Sequence, residues 1–283
     1  MELSRGALFR AHPVLPGFGL SFGFSVLYLS LVVLLPLAAL LMFVADMSLA
    51  QYWRAITDPR VVASYRVTVG GAAWSTLAAL IIGGLLAWVL ARYEFPGRRL
   101  IDSLVDLPFA LPTAVSGLTL AALLVPGGWV GQFFAPFGIK VAYAYPGLVV
   151  AMTFTSLPFV VRTVQPVLEA LAADVEEAAT TLGASARQTF MRVILPGIVP
   201  ALVAGATQAF VRSLGEFGGV IMIAGNMPFR TEITSLMIFV RLQEFEYPAA
   251  AAIASVVLGA SLLLLVLIQW LLDRVYPWSR TLR

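Results

Sequence analysis

The sequence predicts an all-α integral membrane protein of six transmembrane helices, and three observations predict it. The composition is too apolar for a soluble domain. Six runs are long enough to cross a bilayer. The basic residues are sorted between alternate loops. Of 283 residues, 60% are hydrophobic and 12% charged, with mean hydropathy +0.93. Soluble domains carry roughly 25% charged residues, and a crossing needs about 20 apolar ones.

The elements follow in order. Residues 1–17 are a polar, basic tail with Arg5 and Arg10. Residues 18 to 45 are an apolar run too long for a signal-peptide core, so they read as a retained span. Residues 46–60 form a polar connection whose Tyr52 and Trp53 suit a membrane interface. The second span runs from about Val61 to Tyr93, longer than a bilayer requires, so it tilts or protrudes. Its Gly70-Gly71 and Gly83-Gly84 pairs permit close helix approach, the ordinary use of glycine in such spans. A charged turn at 94–99 leads to the third span, about Leu100 to Val125. That span carries Pro108, Pro112, Thr113, Ser116, Gly117 and Thr119. Proline removes a helical hydrogen bond and kinks the helix. Freed carbonyls at membrane depth must face protein or a wet cavity. We therefore expect the third span to line a pore, with a kinked packing helix as the plainer alternative.

Residues 126–146 are a glycine- and aromatic-rich connection holding Lys140, the only lysine. The fourth span runs from about Gly147 to Val164 and contains Pro158 and Arg162. The fifth runs from about Gly197 to Ala224, and the sixth from about Pro248 to Leu272. Between them, Ile233, Leu236, Met237 and Val240 fall on one face of a short helix, expected to lie along the outer surface. The organisation is thus a transmembrane domain over 18–273 between tails at 1–17 and 274–283.

Six spans put both termini on one side. The tails, the 92–99 turn and the 165–196 loop with its flanking Arg162 together hold 11 basic residues, whereas the opposite loops hold 6. Basic loops stay cytoplasmic, so both termini and the 165–196 loop are expected there. The net charge of +3 is sorted by side and does not suggest a nucleic-acid partner.

The longest polar interruption is Asp174 to Pro196. It reads as two short helices joined at Gly183. Asp174 is a candidate cap answered by Glu177, and Ser185 one answered by Gln188. Gly183 sits where a helix ends in a left-handed turn. Pro196 opens the next apolar run at a position a first turn tolerates. A stiff helix–turn–helix between two spans transmits a push; a floppy loop absorbs it.

Two charge pairs need a reading. Arg212 and Glu216, at i and i+4 in the outer half of the fifth span, are costly there and so are interior or functional. Three readings are open: a structural ion pair, an Arg212 that snorkels outward, or an Arg212 that offers positive potential to an anion beside a helix break at Gly215, Gly218 and Gly219. Asp102 and Asp106 also stand four apart, and are taken to complement the amino-terminus of the third span.

Several chemistries lack material. There is no cysteine, and the one histidine, His12, lies in the tail. No metal, cofactor or catalytic site is expected. A phosphate-binding loop for ATP needs Lys-Ser or Lys-Thr, and Lys140 is followed by valine. If ATP drives this protein, the motor is another chain.

Glu177-Ala178-Ala179, then Gly183, then Val193-Ile194-Leu195-Pro196 resembles the EAA signature of bacterial ABC importer permeases, with valine where isoleucine is usual. Over nearly the whole chain, DLPFALPTAVSGLTL, SLPFVVRTVQPVLE, RSLGEFGGVIMIAGN and TEITSLMIFVRLQEFEYPAAAAIASV are similar to the T (or U) type of sulfate/thiosulfate permease subunit. The resemblance implies the type I importer fold, in a bacterial inner membrane. It implies a W-type permease subunit as partner, two ATPase subunits that bind the ATP, and a periplasmic sulfate- or thiosulfate-binding protein. Glu177, Ala178, Ala179 and Gly183 would contact the ATPase through the 165–196 loop. Pro108, Pro112, Thr113, Ser116, Arg212 and Glu216 are the candidate pore or gate residues. Three other readings stand beside this one: a homodimeric molybdate or tungstate permease, an intramembrane enzyme using Asp102, Asp106 and Glu216, and a passive anion channel.

Overall fold

A computed structural model describes residues 17–171 and 173–275. Arg5, Arg10, His12, Arg280 and Arg283 lie outside the described residues. Within them the chain is helical, with no strand. The first crossing joins α1 (Phe18–Leu29) to α2 (Leu35–Ala45) through a π-helical turn at Ser30–Leu34. The wider turn stands just ahead of Pro36, whose ring clashes with a regular preceding turn. Next come α3 (Leu49–Thr57) and α4 (Pro59–Arg92). The polar connection expected at 46–60 is thus largely a helix, because Ser48 and Gln51 form a capping box.

The third apolar run is not one kinked helix. It is three short ones: α5 (Arg98–Val105), α6 (Leu107–Ala110) and α7 (Thr113–Leu124). Pro108 opens α6, and Pro112 stands just ahead of α7. Each proline begins a new helix at a position where its missing N–H costs nothing, and Leu111 before Pro112 is pushed into extended backbone.

The fourth crossing, α8 (Tyr145–Ala170), runs two turns past the expected end. It is followed by α9 (Ala173–Thr181) and α10 (Ala186–Thr189). A second π turn at Phe190–Ile194, just before Pro196, joins α10 to α11 (Leu195–Leu214). The second helix of the 174–196 stretch is therefore the base of the fifth crossing, one helix of 29 residues over Ala186–Leu214. That crossing ends at Leu214. The expected continuation is a separate α12 (Gly218–Ile223). After it come α13 (Thr234–Gln243) and α14 (Tyr247–Val275). Among the described residues five helices are long and apolar enough to cross a bilayer. The broken α5–α7 supplies the third of the six expected crossings.

The core is α4 packed on α8 and α11. On α4 the buried face carries Ser64, Thr68, Gly71, Ala72, Ser75, Ala79, Gly83 and Ala87, a stripe at helical spacing. Where lipid is as apolar as any side chain, helices associate by close packing, and small residues allow it. A Cβ on Gly71 would stand 2.3 Å from Leu148 Cδ2, and one on Gly83 3.2 Å from Val160 Cβ. The face of α13 read from sequence packs inward, while Phe239 and Leu242 on the same helix stay exposed. Ile233, Leu236 and Met237 are all enclosed. What draws α13 in is polar: Thr234 donates its N–H to Thr68 Oγ1 at 2.8 Å, and Arg60 grips the buried Glu232 through Nε at 2.8 Å and Nη2 at 2.7 Å.

Candidate functional site

Two places collect the residues singled out above: an exposed helical bracket at one end, and a junction of broken helices toward the other.

The bracket is built by local capping. At the end of α9, Ala184 N–H reaches Ala179 O at 3.0 Å and Gly183 N–H reaches Thr180 O at 2.9 Å. These two bonds make a Schellman closure, which needs a left-handed residue, and Gly183 supplies φ +84°. Ser185 and Gln188 then form the expected capping box. α9 begins at Ala173, so Asp174 lies in its first turn, and the cap expected of its side chain lies outside what is described. Glu177 and Ala178 are exposed, Ala179 is half-buried, and nothing lies within 4 Å of where a Cβ on Gly183 would sit. The outward surface includes a residue the sequence reading missed: Leu182, 88% exposed at the tip. Its signal was an apolar side chain directly before the capping glycine of a polar stretch.

The bracket is also tied to the spans. Glu176 pairs with Arg92, which lies 5.7 Å over the Trp88 ring. The Asp102 and Asp106 carboxylates answer a guanidinium and not the backbone of a helix amino-terminus. Asp102 sits within α5, and Asp106 stands at the N-cap position of α6 but its side chain makes no capping hydrogen bond; both carboxylates are held by Arg162 of α8. Arg162 donates Nε to Asp106 Oδ1 at 2.9 Å, Nη2 to Asp106 Oδ2 at 2.7 Å, and Nη1 to Asp102 Oδ1 at 2.6 Å. A further Nη2 bond reaches the Asp102 carbonyl at 2.7 Å. Arg98 adds a looser contact to Glu169 at 3.5 Å. These groups are a third to a half exposed, so any single pair is worth only about 0–1 kcal/mol. The fork geometry on two acceptors, plus the carbonyl, makes the cluster count.

Arg162→Ala should free α5 and raise tryptic cleavage at Arg98–Arg99 several-fold, on the order of tenfold, because local opening sets access. Arg162→Lys should do nearly as much, since an ammonium cannot span both carboxylates. Wild-type cleavage rates in both variants would mean that α5 is held by something else.

At the second place α7 and α12 pack backbone to backbone. A Cβ on Gly117 would stand 2.2 Å from Gly219 O, and one on Gly218 2.3 Å from Thr113 Oγ1. Arg212 and Glu216 are paired, with Nη1 2.7 Å from Oε2. That contact is one of charge without an aligned hydrogen bond, as Oε2 has no hydrogen-bond partner. Oε1 instead accepts from Gly219 N–H at 3.0 Å, holding the start of α12. Glu216 is buried and Arg212 is one-third exposed (33%). Beside them the buried Ser213 and Ser75 share a hydroxyl contact at 3.0 Å, fastening the break to α4.

The junction thus gathers Thr113, Arg212 and Glu216. Ser116 is buried one turn along α7, its hydroxyl donating to Pro112 O at 3.3 Å. Pro112 is exposed just ahead of that helix. Pro108 is not part of the junction, since it is buried in α6, which packs on α8. The opposed main chains let two segments meet closely, with one carboxylate compensating one guanidinium. Among the described residues no cluster of three or more His, Cys, Asp or Glu side chains could hold a metal ion. Asp102 and Asp106 belong to the Arg162 cluster and Glu216 to the junction, so no common acid–base site forms.

Residues 79–281 match the family described as binding-protein-dependent transport system inner membrane component. The chain is 61% identical over 261 residues to the sulfate transport system permease protein CysT of Escherichia coli (strain K12), covering 92% of this chain and 94% of that one. It is 60% identical to the protein of the same name from Salmonella typhimurium, at the same coverage, and 48% identical to that of Synechocystis sp., over 90% of this chain and 88% of that one. In fold it is similar to a chain in the crystal structure of a bacterial alginate ABC transporter in complex with an alginate pentasaccharide-bound periplasmic protein. The TM-score is 0.74 at 18% identity, over 91% of this chain and 94% of that one.

Proposed function

This chain belongs to the binding-protein-dependent transport system inner membrane components, the permeases of ABC importers, and from that premise we propose that it imports sulfate and thiosulfate. The observation that carries the cargo is 60–61% identity to two sulfate permeases across 94% of their length. The chain forms half of the translocation pore, and a related W-type permease forms the other half. Two ATPase subunits sit under the α9 bracket and bind the ATP. A periplasmic sulfate- or thiosulfate-binding protein docks opposite. The membrane is the bacterial inner membrane, with both termini in the cytoplasm.

Closure of the ATPases on ATP pushes α9. The push passes through Glu176–Arg92 to α4, and through the base of α11 to the junction above. Glu177, Ala178, Ala179 and Gly183, with Leu182, form the contact. Small side chains let the ATPase approach closely, and the glycine holds the bend. At the junction, Ser213 stands opposite Ser75, 17 residues above Arg92 on one helix, which is about 25 Å. The outer third of the bilayer suits a gate. Glu216 keeps Arg212 from being a bare charge there, and Arg212, open on one side, faces the other half of the pore.

The test is the complex itself. Purified with its partners and reconstituted, it should accumulate radiolabelled sulfate only with ATP and the binding protein present, and excess thiosulfate should compete. The purified particle should contain a second permease. Uptake of molybdate or tungstate instead, by a homodimer, would overturn the assignment. Flux without nucleotide would make the protein a channel.

A further inference from the structure

The loop between the third and fourth crossings, residues 126–144, lies outside the docking bracket and supplies none of the junction's charged groups. Its chemistry is unusual. No acidic residue occurs between Asp106 and Glu169, and Lys140 is the only charge between Asp106 and Arg162. Trp129, Phe133 and Phe137, spaced four apart, are 81%, 68% and 79% exposed.

The loop is nonetheless firmly seated. A Cβ on Gly131 would stand 2.0 Å from Val125 O, and one on Gly128 2.4 Å from Ala122 O. At its far end Tyr143 N–H reaches Ile223 O at 2.7 Å. In between, two 3-10 turns, Gly131–Phe133 and Ala135–Phe137, use the backbone donors internally. Gln132 bonds Gly128 O at 3.1 Å, Phe133 bonds Val130 O at 3.2 Å, and Phe137 bonds Phe134 O at 3.1 Å. A backbone that satisfies itself can enter a medium poor in water.

Depth identifies that medium. On α4 no charge occurs between Arg66 and Arg92. With Arg92 at the inner boundary, a hydrocarbon core of about 30 Å ends roughly 20 residues back along the helix, near Ala72. Gly70 lies against the start of α8, where a Cβ would stand 2.8 Å from the Tyr145 hydroxyl. The loop feeding Tyr145 therefore stands at the outer boundary of the bilayer. Aromatic side chains collect at that level, and a nearby lysine reaches the phosphates. A protein-docking patch would have a polar or charged rim around its aromatic centre; residues 126–139 carry no charge.

We propose that residues 129–139 are a membrane anchor, with Trp129, Phe133 and Phe137 set into the outer headgroup–acyl boundary and Lys140 against the lipid phosphates. The anchor holds the outer end of α7, and so the α7–α12 junction, at a fixed depth.

The chain has no cysteine, so single-cysteine labelling is clean. The assembled transporter, carrying Phe133→Cys or Phe137→Cys with an environment-sensitive fluorophore, is placed in nanodiscs with nitroxide lipids of graded depth. Arg230→Cys, exposed between α12 and α13, is the reference for water. The expected result is strongest quenching by shallow nitroxides and about tenfold less quenching by aqueous iodide than at position 230, the protection that headgroup-depth burial gives. Both should hold with or without the binding protein. Iodide access equal to that at 230 would overturn the proposal. So would protection that appears only when the binding protein docks, or iodide protection without nitroxide quenching, which would mark the second permease as the cover. If the phenylalanine variants fail to assemble, Ala135→Cys, also exposed on the same turns, carries the same measurement.

Discussion

Gly183→Val is expected to weaken ATPase association about tenfold or more while leaving the spans inserted. At φ +84° an L-residue pays roughly 1–2 kcal/mol, and a β-branched one more. Each 1.4 kcal/mol is about tenfold in an equilibrium constant. Space is not the issue, because nothing lies within 4 Å of that Cβ. The cost is conformational, and the chain can escape it only by undoing the Schellman closure that aims α9. Gly183→Asn, which enters the left-handed region readily, should retain most of the binding. The measurement is co-purification of the ATPase with the permease, alongside membrane insertion of each variant. Valine at wild-type binding strength would show that the turn does not set the docking surface.

Gly117→Ala is expected to damage the complex more than a methyl group added at any other α-helical glycine among the described residues. The new carbon would meet Gly219 O at 2.2 Å and Gly219 Cα at 2.7 Å. Both are main-chain atoms, so no rotamer change relieves the overlap, and α7 and α12 must separate. Overpacking of a close contact costs about 1–3 kcal/mol, and rigid backbone puts this case at the upper end. We expect at least about tenfold lower uptake and a lower melting temperature of the purified complex. The matched control is Gly259→Ala on α14, where nothing lies within 4 Å. There the same change should be neutral or slightly stabilising, because alanine favours helix by up to about 1 kcal/mol. Equal behaviour of the two variants would show that the close α7–α12 contact is needed for neither assembly nor uptake.

Much of the architecture was legible because local chemistry decides it. The ends of the first span, the Ser185–Gln188 box and the Gly183 turn depend on residues within a few positions of one another. In each case the energy comes from apolar transfer, a cap or a dihedral, and none of these needs a distant partner. The readings that failed concerned charges and prolines. Asp102 and Asp106 looked like companions of a helix amino-terminus, but their partner is Arg162, more than 50 residues away on α8. Pro108 and Pro112 looked like kinks; whether a proline bends a helix or begins a new one depends on whether neighbouring segments satisfy the freed backbone. Glu232 gave no signal in the sequence, because its burial depends on Arg60, 172 residues away at the start of α4.

By itself the sequence determined that this is a membrane protein, where its apolar runs lie, and that a capped, bent bracket interrupts them. Hydrophobic length and short-range hydrogen bonding are properties of contiguous residues, so they can be read along the chain. Only the tertiary structure decided that the third crossing is broken, that its last piece meets α12 main chain to main chain, and which acid answers which arginine. Those outcomes depend on how closely two distant backbones can approach, and that distance is set by glycines and charges that come together only after the helices have packed.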